Sequence, residues 1–105
     1  MNQIKLENIR KLCRENLIIW SQHVATRCQQ RGIKTIDIEN CILNGEIIEE
    51  YPDDYPYCSY LILGVTINNQ NLHVVCGIGD NKLWIITAYF PSSDKWEPDF
   101  KTRKE

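Results

Sequence analysis

The chain holds two histidines, at positions 23 and 73, and the neighbours of each suggest proton transfer. His23 begins a row with Arg27 and Arg31 at i, i+4 and i+8. On a helix this spacing puts an imidazole and two guanidiniums on one face. Such a row suits RNA cleavage: a neutral imidazole takes a proton from a 2′-hydroxyl, and guanidiniums balance the charge growing on the phosphate. The same row also matches the solvated face of an ordinary amphipathic helix. His73 lies in Leu72-His73-Val74-Val75-Cys76-Gly77-Ile78, where alternation sets it opposite Leu72, Val74 and Cys76. It reads either as a second acid–base or phosphate-contacting group on an open sheet face, or as a partly buried histidine held by a backbone hydrogen bond.

Regular alternation from Leu83 to Phe90 puts Leu83, Ile85, Thr87 and Tyr89 on one face and Trp84, Ile86, Ala88 and Phe90 on the other. Tyr89 and Thr87 are the hydroxyls that such a strand brings toward His73 if the register allows. Tyrosines near strand ends also serve as packing with a wet tip. Tyr51, Tyr55, Tyr57 and Tyr60 crowd an acidic stretch, as bases would need for stacking or as a partner surface would need for a wall. Glu49, Glu50, Asp53 and Asp54 form the acidic cluster. A hard cation takes such oxygen ligands, but Glu49 and Glu50 point apart on a regular strand, and a solvated loop is the simpler account. No metal site is expected. The five cysteines, at 13, 28, 41, 58 and 76, never fall in C-x-x-C spacing and read as core filling rather than disulfides or zinc ligands.

The elements that must carry these groups divide the chain in two. From about residue 3 to 16, Ile4, Ile9, Leu12 and Cys13 recur at helical spacing, and the apolar run Leu17-Ile18-Ile19-Trp20 extends that helix or joins it to the next. Ser21 caps a second helix that Gly32 stops. Thr35 caps a third, closed by Asn44-Gly45. Strands follow at residues 46–51, 59–67, 72–78 and 83–90, separated by Pro- and Asp-rich, Asn-rich and Gly-Asp-Asn turns. Such short connections imply antiparallel pairing. The expected architecture is α+β: two or three N-terminal helices packed on a four-stranded antiparallel sheet. It forms one domain over residues 1–105, with a helical part at 1–45, a sheet at 46–91 and a polar tail at 92–105. Trp96 and Phe100 are the tail residues able to pin it to the body.

With 105 residues, 43% hydrophobic and 25% charged, the composition is that of a globular domain. No apolar run approaches the roughly 20 residues that cross a bilayer, and the N-terminus lacks a secretion signal, so no membrane partner and a cytoplasmic location are expected. The net charge of −2 argues against a dedicated nucleic-acid holder, which carries a basic excess. An RNA-directed role needs a local basic surface, or RNA held by something else.

Ser21-x-His23-x-x-x-Arg27-x-x-x-Arg31-Gly32-Ile33 and Asn44-Gly45-Glu46-Ile47-Ile48-Glu49 resemble segments of a bacterial family, domain-of-unknown-function 4258. So do Tyr51-Pro52-Asp53-Asp54-x-Pro56, Leu72-His73-Val74-Val75 and Ile86-Thr87-Ala88-Tyr89-x-Pro91, in the same order, with Trp96 and Arg103 beyond. The resemblance spans roughly residues 18–103. It implies a fold similar to the RelE-like and BrnT-like toxins of type II toxin–antitoxin systems. It also implies metal-independent endoribonuclease activity (an mRNA interferase), with no cofactor. The implied partners are a small antitoxin protein, zinc-finger type among the options, and RNA or ribosome-bound mRNA. His23, His73 and Tyr89 are the implied catalytic positions, and Arg27 and Arg31 the RNA-binding ones. Phe90 departs from the pattern, where arginine is frequent. The alternative is a non-enzymatic protein-binding module of the same fold.

Overall fold

A computed structural model describes residues 2–105, with side chains from Ile4 onward. The first helix, α1 (Asn2–Arg14), ends where Asn16 takes a left-handed conformation (φ 59°) and the Leu17 N–H returns to the Leu12 carbonyl at 3.0 Å. Asparagine tolerates that conformation, and the wrapped-back bond is the Schellman arrangement that terminates helices. Leu17–Trp20 therefore does not extend the helix. Its last three residues form a strand, β1 (Ile18–Trp20).

The second helix, α2 (Gln22–Gln30), starts on Ser21, whose hydroxyl accepts from the Val24 N–H at 3.1 Å. It stops at Gly32 (φ +72°), with the Ile33 N–H donating to the Cys28 carbonyl. The third helix, α3 (Thr35–Asn44), is capped differently from the expectation. Thr35 is its first residue rather than its cap. Asp37 reaches back to the Lys34 N–H at 3.0 Å, and its other oxygen takes the Ile67 N–H at 3.1 Å. One buried carboxylate thus satisfies the helix start and ties it to the loop that follows the strand ending at Val65.

Then come β2 (Glu46–Tyr51), β3 (Ser59–Val65), β4 (Asn71–Gly79) and β5 (Lys82–Tyr89). Asp80 and Asn81 both have positive φ in the two-residue β4–β5 turn, as a type I′ hairpin requires. The sheet has five strands in the order β1-β5-β4-β3-β2 and is mixed. This corrects the four-stranded antiparallel expectation, because β1 adds to the β5 edge in parallel, Ile18 opposite Leu83 and Trp20 opposite Ile85. A three-residue apolar segment carries no readable alternation, and its partner lies far along the chain.

All three helices cover one face. Ile9, Val24, Cys28, Ile38, Cys41 and Ile42 pack there against Tyr60, Ile62, Leu72, Val74, Cys76, Leu83 and Ile85. Residues 92–105 cross the opposite face, where Trp96 is buried with Leu61 and Val75, and Phe100 packs beside them. A register shift between Val75 and Cys76 makes Ile86 an extra residue on β5. A bulge of this kind reverses the side-chain parity beyond it. Leu83, Ile85 and Ala88 consequently face the helices, whereas Trp84, Thr87 and Tyr89 face the tail side. The regular alternation expected for this strand does not hold.

Candidate functional site

The structure separates the five sequence-predicted site residues. His23 and Arg27 are exposed on α2, on the helix side of the sheet. Arg31, also exposed, turns toward β5 and donates to the Ala88 carbonyl at 2.7 Å. β1 stops opposite Ile85, so this guanidinium satisfies strand backbone beyond the end of the parallel pairing. His73 and Tyr89 sit on the other side of the sheet, directly opposite one another on β4 and β5. The two histidines do not border one site. Their separation follows from alternation along β4, which sends Leu72 and Val74 toward the helices and His73 away from them.

His73 is 0% exposed. Its Nε2 lies 2.8 Å from the Phe100 carbonyl oxygen, and its Nδ1 lies 3.3 Å from the Tyr89 hydroxyl. A carbonyl only accepts, so Nε2 carries the proton and Nδ1 accepts from the phenol. The ring meets Trp96 edge-to-face at 4.5 Å and Tyr89 at 5.3 Å. Burial pushes the His73 pKa below the ordinary histidine value, against the Phe100 carbonyl, which raises it. Burial likewise raises the Tyr89 phenol. At neutral pH the pair is a neutral imidazole accepting from a neutral phenol.

The tail supplies the charge around this pair. Arg103 forks onto Glu49, Nε to Oε2 at 2.9 Å and Nη2 to Oε1 at 3.0 Å, and its guanidinium lies 4.6 Å from the Trp96 ring centroid. The Tyr51 hydroxyl also donates to Glu49. The Arg103 bonds hold the Glu49 carboxyl below its usual range. Tyr89, Phe90, Ser92, Lys95, Trp96 and Arg103 line a hollow of about 330 Å³. A phenol in contact with a buried imidazole therefore opens onto a small space flanked by a lysine and an arginine, groups suited to a phosphate.

Lys95, Ser92, Glu49 and Arg103 have roles here that residue types alone did not reveal. Arg103 stands out in the sequence only as a matched position beyond the last strand, Trp96 also as a tail anchor, and the carbonyl that fixes the His73 tautomer belongs to Phe100. The acidic cluster is dispersed: Glu49 turns to Arg103, Glu50 to Lys5 of α1 at 3.0 Å, and Asp54 accepts from the Ser59 hydroxyl. Among the described residues no group of three His, Cys, Asp or Glu side chains is placed to hold a metal ion. Among them, too, no helix is long and apolar enough to cross a membrane. A larger hollow of about 460 Å³ between β1, α2 and α3 is lined by neither a carboxylate nor an imidazole.

No curated protein and no solved structure matches the chain significantly. A family model described as Domain of unknown function (DUF4258) matches residues 20–90, more than half of the chain and inclusive of α2, α3, β2 to β5, His73 and Tyr89, and the chain belongs to that family.

Proposed function

We propose that this protein is a metal-independent endoribonuclease whose reacting groups are Tyr89 and His73, at the hollow flanked by Lys95 and Arg103. The observation that carries the reading is the 3.3 Å contact between the Tyr89 hydroxyl and the unprotonated Nδ1 of His73. An RNA 2′-hydroxyl seated at this hollow gives its proton to the Tyr89 oxygen as the Tyr89 proton passes to Nδ1. The 2′-oxygen then attacks phosphorus, the 5′-oxygen departs and takes a proton from Lys95, and a 2′,3′-cyclic phosphate remains. Arg103 balances charge on the phosphoryl oxygens. The imidazolium that forms keeps its Nε2 bond to Phe100 and feels Glu49 nearby.

The toxin-like fold that the family resemblance implies extends the proposal: a RelE-like or BrnT-like bacterial toxin in the cytoplasm, held inactive by a small antitoxin of zinc-finger or related type. A ribosome-bound mRNA as substrate fits the net charge of −2, since the ribosome then positions the RNA. His23 and Arg27, exposed on α2 on the helix side of the sheet, are left out of this chemistry, and Arg31 serves as an edge cap.

Induced expression in bacteria tests the reading. Wild-type protein should arrest growth and leave cyclic-phosphate ends on cellular mRNA, Tyr89→Phe should relieve the arrest, and His23→Ala should not. Unimpeded growth of cells holding soluble wild-type protein overturns it, and relief by His23→Ala moves the chemistry to α2. A non-enzymatic protein-binding module is the second reading. It is favoured by one observation: His73 is wholly buried with both ring nitrogens partnered, as a scaffold residue would be.

A further inference from the structure

The tail-side face of the sheet carries a second hollow of about 360 Å³, beneath residues 52–58 and outside the site above. Its existence traces to glycine. Gly77 and Gly79 project toward this face, and a Cβ on Gly79 would stand 2.2 Å from the Tyr57 ring. A Cβ on Gly77 would stand 2.9 Å from the Cys58 carbonyl oxygen. The bare strand backbone thus lets the loop lie directly on β4. Trp84 forms a wall, fixed by its indole N–H donating to the Gly79 carbonyl at 2.8 Å and by Tyr57 at 5.7 Å between centroids. Ile86, the bulge residue, is 44% exposed at the margin, and Tyr55 is 95% exposed. The lining is mainly apolar. Asp54 lines the hollow and Asp53 is exposed beside it on the covering loop, while no lysine or arginine is among the lining residues.

An apolar slot with a net acidic margin selects a ligand of matching chemistry. We propose that this hollow docks a basic peptide segment of a partner protein, with one large aliphatic side chain inserted against Trp84 and Ile86 and flanking lysines or arginines facing Asp53 and Asp54. The acidic margin disfavours RNA here, because phosphates would meet carboxylates. The docking site is separate from Tyr89 and holds whether or not the chain cleaves RNA.

The test follows the Trp84 indole N–H by NMR, assigned with Trp84→Phe, while blocked pentapeptides are added to the full chain. Lys-Arg-Leu-Arg-Lys should move the resonance to saturation. Replacing the central leucine by glycine should weaken binding at least about tenfold, the loss expected for an unburied aliphatic side chain. Flanking the leucine with glutamates should weaken it comparably, and Asp53→Asn should weaken it about threefold, the size of an exposed ion pair. Ile86→Ser, an exposed change that leaves the core intact, should weaken leucine-peptide binding selectively. Equal binding of the glycine or glutamate peptides, a shift caused by hexauridylate instead, or no shift at all overturns the proposal.

Discussion

Replacing Trp96 by alanine asks how strongly the tail is bound and what keeps His73 neutral. Trp96 is 3% exposed, packs with Leu61 and Val75, and lies against the His73 and Arg103 side chains. A buried tryptophan removes about 200 Å² from water, which at about 25 cal/mol/Å² is an upper value near 5 kcal/mol. The tail is terminal and free to collapse partly into the gap, so the expected loss is about 3 kcal/mol, at the lower end for such truncations. Urea unfolding should show it as a lower midpoint with little change in slope. The second readout is the titration of His73. Its folded-state pKa is depressed by burial, so the unfolded chain binds the proton more readily. Stability should therefore fall as pH drops below about 6.5, by at most about 1.4 kcal/mol per pH unit, until the folded pKa is passed. Glu49 acts separately and lower: its pKa is depressed, so its contribution is full above about 4.5 and is lost as pH falls through the folded value. Trp96→Ala should raise the His73 pKa toward the ordinary value and flatten the upper window. A loss below about 1 kcal/mol with an unmoved His73 titration would refute the packing argument.

Two further outcomes check the helix side. A Cβ on Gly64 would stand 2.5 Å from the Cys41 carbonyl oxygen and 2.8 Å from its Cα, backbone that cannot step aside, so Gly64→Ala should cost at least about 2 kcal/mol in urea unfolding. Native protein should yield one prompt thiol to Ellman's reagent, Cys58, and five in denaturant: the other four are buried, and burial pushes Cys41 up to about 12.

The local signals were legible where a single residue type forces a backbone outcome. Ser21 caps α2, Gly32 ends it, and Trp96 and Phe100 anchor the tail. Legibility failed where the outcome depends on a distant partner. The Ile86 bulge, set by pairing with β4, turned the Thr87 and Tyr89 face over, and Asp37 rather than Thr35 holds the start of α3. The family span, residues 20–90, contains His73 and Tyr89, whereas the carbonyl and aromatic ring that bury His73 come from beyond it.

Residue order alone determined that three helices precede the four strands β2 to β5, which helix positions face a core, and that two imidazoles stand among arginines and tyrosines. Periods of 3.6 and 2 and a few capping residues are local properties, written wherever the chain passes. Only the tertiary structure decided which groups meet. Strand register and alternation sent His23 and His73 to opposite sides of one sheet, brought Tyr89 against His73, and let the tail deliver Arg103 to Glu49. Such contacts join residues far apart in the chain, and their partners are chosen by packing that no short window of sequence contains.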